Sequence, residues 1–301
     1  MSDLLTHWAV FEDCRRLALL DDRVDPLLAR IMHEEREFAR LGALARSGAT
    51  FVPHILRSAR EAYRQDGEAG LPRRKLALAL GGITHYAADV IMKPLAKSRT
   101  REDWNKAHHR MQHGDSAPDS PIREISAYYD THVFRKVYLA GQEGPFNRFL
   151  LAENTTEPGQ ALEEFVFALF QRALLASHTL APDEDDLDGW LDNLIARVQP
   201  LYVNVRTFVR VFAAPDPDKM RAYGVEDAFY LEDDPAIRTA RGAQAGQAIR
   251  ASELAAALDE AANSSGYARA VCRGLQRLRQ ASAFWRGERE TTPDLQQVPA
   301  G

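Results

Sequence analysis

The chain has 301 residues, 45% of them hydrophobic, enough for one large domain or two small ones around a substantial core. Its 38 basic and 43 acidic residues leave a net charge of −5, and no Lys/Arg-rich block breaks the balance, so nucleic acid is not an expected partner. Two cysteines far apart, Cys14 and Cys272, support neither a disulfide framework nor a cysteine zinc motif.

The start, MSDLLTHWAVFEDCRR, lacks a basic head followed by an unbroken apolar run, and the uncharged run from Leu76 is too short to span a bilayer. Together with the cysteine usage this predicts a soluble cytoplasmic protein.

Helical period runs through nearly every segment, and strand alternation is absent. The first helix is expected over Asp3 to Leu20. The second covers Val24 to Arg46, with Pro26 tolerated in its first turn. A third starts near Pro53, and a fourth follows Pro72. Thr100 with Asp103 resembles a capping box for Arg101 to His113, which Gly114 stops. Ser120-Pro121 supplies a cap and first position for Ile122 to Leu139. Further helices fit Gly159 to Leu180, Leu187 to Phe212, Pro235 to Ala262 and Gly266 to Trp285. The expected fold is an all-α multi-helix bundle with a central buried metal-binding helix. The acidic stretch at Pro182 to Asp188 suggests a helical metal-site domain over 1–181, a helical extension over 182–290 and a flexible tail over 291–301.

Several chemistries lack their motifs. No Gly-Lys dipeptide exists for a phosphate-binding P-loop, and no G-x-G-x-x-G or G-x-S-x-G occurs. Glu-x-x-His and His-Asp are also missing, against di-iron bundles and helical HD-type phosphohydrolases.

Nine histidines remain. In LALALGGITHYAADVIMKP, His85 and Asp89 lie one turn apart, about 40° around the helix, so both reach one cation. The alternative is a buried His–Asp hydrogen bond that fixes packing. Gly81 and Gly82 remove bulk where a metal or another backbone approaches. His33 and Glu37 repeat the spacing on a charged helix and read as solvated. His7 shares a stripe with Phe11, Cys14 and Ala18, the setting of a core histidine or a ligand. His109 and His113 form either a zinc-chelating pair or a solvated helix end. Asp130 falls in the stripe of Ser126, Val133 and Val137, where a carboxylate needs a cation or an arginine partner. Glu124 reaches inward only from the first turn.

The run Leu80-Gly81-Gly82-x-x-His85-Tyr86-x-x-Asp89-Val90 resembles the central helix of the zinc-dependent phospholipase C superfamily, which includes the single-strand nucleases. That resemblance implies an all-α fold, zinc among the helices and hydrolysis of phosphodiester bonds. It implies His85 and Asp89 as ligands, His7 as the early-helix histidine, and Glu124 and Asp130 near the last acidic ligands. The sequence departs from the family where Ala96 stands in place of a histidine and where Arg46 and Ser47 stand in place of an aspartate. One or two zinc ions are therefore expected rather than three. In this scheme Asp89 or Asp130 orients the nucleophile, and Lys93, about 80° from His85 on the helix, binds the phosphate of a small phosphate ester or phospholipid head group. A non-catalytic helical binding or scaffold protein is the alternative.

Overall fold

A computed structural model describes residues 4–45, 48–100, 121–138, 186, 188–189, 207–208, 210–212, 214–260 and 264–295. Among them every regular element is helical, as expected, and there is no strand. No helix among these residues is long and apolar enough to cross a membrane.

The helices are α1 (Leu4–Ala18), α2 (Pro26–Glu34), α3 (Arg36–Leu44), α4 (Gly48–Asp66) and α5 (Arg73–Arg99). They continue with α6 (Pro121–Val133), α7 (Pro217–Ala222), α8 (Pro235–Gln244), α9 (Ala251–Asp259) and α10 (Gly266–Arg286). The helices expected over Arg101 to His113 and Gly159 to Leu180, and most of Leu187 to Phe212, lie outside the described residues.

Local chemistry sets the boundaries. Asp25 accepts from the amides of Leu27 and Leu28, and Pro26 fills the first position, so α2 starts there. The single helix expected over Val24 to Arg46 breaks at Glu35, whose φ of −96° and ψ of 39° are not helical. Glu34 and Glu35 there meet Arg73 and Arg74 at the start of α5. α4 begins at Gly48, ahead of the expected Pro53, which sits inside the helix. The helix expected over Pro235 to Ala262 is likewise two. Gly246 takes a φ of +75°, and the amides of Gly246 and Gln247 return to the carbonyls of Ala243 and Gly242. That pattern closes α8, because glycine accepts the left-handed turn without penalty. Gly287, at φ +88°, closes α10 in the same way.

The chain groups into two compact units, Met1–Thr6 with Ala96–Val225 and His7–Leu95 with Glu226–Gly301. In the first, Tyr129, Val133 and Phe134 of α6 and the adjoining π-helical turn are buried, and the Phe134 ring meets Phe212 edge-on at 5.0 Å. In the second, the core holds Trp8, Phe11 and Leu17 from α1, Leu80 and Ile83 from α5, and Tyr267 and Leu275 from α10.

Within the second unit, α3 and α5 cross at a pair of glycines. A Cβ added to Gly42 in α3 would lie 1.9 Å from the carbonyl oxygen of Leu78, and one added to Gly81 in α5 would lie 1.8 Å from that of Ala39. Only glycine fits either place, so α3 and α5 touch backbone to backbone. Gly81 thus serves an approaching helix. Gly82 faces elsewhere, toward the Val52 side chain.

Candidate metal centre

α1 and α5 bring together three groups that the sequence separates. His7, His85 and Asp89 are all buried and offer ligand atoms within 4.8 Å of one another. Nε2 of His7 lies 3.5 Å from Asp89 Oδ1, and Nε2 of His85 lies 3.3 Å from Asp89 Oδ2. Two donors held at about 2.0–2.1 Å on one tetrahedral ion are about 3.3 Å apart, so these separations suit a shared cation. The two imidazoles stack, with centroids 4.2 Å apart and planes at 16°. Both rings therefore present their edges to the same carboxylate.

The tautomer of His85 follows from its other nitrogen. Nδ1 lies 2.8 Å from the carbonyl oxygen of Ala43, at the C-terminal end of α3. A carbonyl only accepts, so Nδ1 carries the proton. In a neutral ring Nε2 then bears a lone pair. That nitrogen is buried and faces the carboxylate at 3.3 Å. Lone pair against carboxylate is repulsive, so the contact calls for a positive charge at that edge: a proton on Nε2, which makes it a donor to Asp89, or a cation shared by the two. The bond to Ala43 is a consequence of the glycine crossing, which lets α3 lie close enough to α5.

Burial by itself pushes the Asp89 carboxyl up, but the two imidazoles outweigh it and hold the group far below the usual carboxylate range. Asp89 is therefore an anion throughout the physiological range. Lys93, one turn further along α5, also places Nζ against Asp89 Oδ2. Its side chain is half exposed, at 53%, whereas that of Asp89 is 11% exposed.

A second set of charges braces α1, and sequence reasoning missed it. Glu12 is buried; Oε1 accepts from Arg36 Nε at 2.7 Å and Arg40 Nε at 2.8 Å, and Oε2 accepts from Arg15. Burial raises its pKa, but Arg15, Arg40 and Arg36 bring it down to about 2. The Arg40 guanidinium also lies 4.3 Å over the Trp8 ring, beside His7 in sequence. The Glu12–Arg15 spacing on one helix was the available signal; the α3 arginines gave none.

Two of the other expected site residues, Asp130 and Glu124, have partners within their own unit. Asp130 Oδ1 accepts from the amide of Thr6 at 2.9 Å and its hydroxyl at 2.7 Å, and Oδ2 accepts from the amide of Leu5 at 3.2 Å. It caps the first turn of α1, a role that by itself engages both carboxylate oxygens. Glu124 accepts from Lys219 Nζ at 2.6 Å, Arg210 at 3.3 Å and the Tyr223 hydroxyl at 2.9 Å. His33 is exposed and pairs with Arg15, in line with a solvated position. His109 and His113 lie outside the described residues. No family model matches this chain, and no curated protein or solved structure matches it.

Proposed function

We propose that the protein is a metal-dependent hydrolase of phosphate diesters, with one divalent cation held by His7, His85 and Asp89. The observation that carries this reading is the convergence at Asp89: the Nε2 atoms of the buried His7 and His85 both face one ionised carboxylate, with all three ligand atoms within 4.8 Å of one another. Two imidazoles and a carboxylate form a donor set that suits zinc and leave a fourth tetrahedral position for water or substrate. A bound ion would supply a water of lowered pKa and a Lewis acid for a phosphoryl oxygen. The chain's own residues do the rest. Ala43 fixes the His85 tautomer through Nδ1. Asp89 supplies the anionic ligand and can orient the nucleophile. Lys93 supplies a half-exposed cation beside it for the phosphate of a small ester or phospholipid head group. The resemblance of the His85 helix to zinc-dependent phospholipase C supports the same reading.

The Lys93–Asp89 contact favours a second reading. There Lys93 neutralises Asp89 permanently, and the three residues are a polar core of a helical binding or scaffold protein. Elemental analysis of untagged protein, before and after zinc incubation, separates the two. The hydrolase reading expects one or two zinc ions per chain and hydrolysis of bis(p-nitrophenyl) phosphate that His85→Ala abolishes. No metal uptake overturns it in favour of the scaffold.

A further inference from the structure

The ammonium of Lys93 and any cation shared by the imidazoles compete for one atom. Lys93 Nζ contacts Asp89 Oδ2, and it is Oδ2 that His85 Nε2 faces at 3.3 Å. A divalent ion and an ammonium on one carboxylate oxygen repel each other. The two partners differ in how firmly they are held. Asp89 is enclosed, with Oδ1 facing His7 and Oδ2 facing His85. Lys93 reaches in from the surface with half its side chain in water, and such an arm leaves at small cost because water solvates the ammonium well.

We propose that Lys93 is an exchangeable counter-ion: a divalent cation entering among His7, His85 and Asp89 displaces its ammonium from Asp89, and the released ammonium then binds an anionic phosphate beside the ion. This rests on the metal reading of the three residues. Charge balance motivates the second half. With neutral imidazoles, Asp89 and Lys93 cancel in the metal-free site. Adding a divalent ion leaves a surplus of two positive charges, with Lys93 kept within one helical turn of Asp89 by α5. An anion is then attracted where none was before, so phosphate binding becomes conditional on metal loading.

The test is calorimetric titration of zinc chloride into the full-length wild type, Lys93→Ala, Lys93→Gln and Lys97→Ala, with circular dichroism as the check that each is folded. Lys97→Ala removes an equal charge one turn further along α5. The expected result is zinc binding about 3- to 10-fold tighter in both Lys93 variants than in wild type, with Lys97→Ala unchanged. Inorganic phosphate should then bind zinc-loaded wild type, fail to bind the metal-free protein, and bind zinc-loaded Lys93→Ala about tenfold more weakly. Equal zinc affinity in wild type and the Lys93 variants, or the same gain in Lys97→Ala, overturns the exchange while leaving the metal site standing. Zinc binding that appears only when Lys93 is replaced makes the lysine a permanent plug and also overturns it. No zinc binding by any variant removes the metal reading itself.

Discussion

His85 donates its Nδ1 proton to the carbonyl of Ala43 at 2.8 Å, and this bond turns Nε2 toward Asp89. The partner is backbone, so the bond depends on how near α3 lies to α5 and not on the residue type at position 43.

The approach itself can be tested at Gly81. A Cβ there would sit 1.8 Å from the Ala39 carbonyl oxygen, so Gly81→Ala must push the helices apart. The expected cost is about 3 kcal/mol by chemical denaturation, at the upper end of overpacking effects. Gly67→Ala is a useful contrast: nothing lies within 4 Å of its added Cβ, and only its φ of +63° opposes the change. Its expected cost is about 1 kcal/mol. Equal losses at the two glycines would mean that α3 and α5 cross with room to spare.

Asp89→Asn keeps the volume and an acceptor but removes the charge. If a cation stabilises the fold, chelator should lower the thermal midpoint of wild type and leave the variant almost unmoved, because a bound ligand stabilises by mass action. Wild-type midpoints that coincide with and without chelator point to a buried polar trio.

Glu12 is expected to contribute to acid stability. Its pKa falls from 4.5 in the unfolded chain to about 2 in the folded one. A carboxyl with a depressed folded pKa contributes stability above its unfolded pKa and loses it as pH falls through the folded value. The loss should therefore run from about pH 4.5 down to about pH 2 and amount to about 3 kcal/mol. Asp89, whose pKa is also depressed, adds to the loss in the same direction. Glu12→Gln should be less stable at neutral pH and show a flatter acid limb. An unchanged slope would show that the arginines do not act through Glu12.

Asp130→Ala removes the acceptors for the Leu5 and Thr6 amides and for the Thr6 hydroxyl. The expected cost is about 1–2 kcal/mol, with hydrogen exchange rising first at those two amides. Asp130→Asn keeps one oxygen acceptor and should lose about half as much. Unchanged exchange at Leu5 and Thr6 would contradict the cap.

The sequence made α1, α5 and α10 legible to within about two residues at most ends, because apolar period and proline or glycine punctuation agree there. It missed the breaks at Glu35 and Gly246. At the first, Glu35 meets arginines from another helix, a tertiary contact that the local pattern does not carry. The second is a local event, and a glycine inside a helical pattern was its only mark. At the candidate site the i,i+4 spacing showed His85 with Asp89, since both stand on one helix. His7 showed as a core histidine or a ligand on its apolar stripe, with only a family likeness to join it to His85, and the carbonyl of Ala43 did not show at all, because a backbone acceptor leaves no trace in residue type.

A backbone acceptor also changes how this region tolerates mutation. No substitution at position 43 deletes the oxygen that orients His85, so mutational drift there is silent toward the imidazole as long as the new side chain can be housed. The burden passes to its neighbours. At Gly42 and Gly81 even one methyl group collides with main-chain atoms. The most vulnerable positions for this histidine are thus two residues that have no side chain at all.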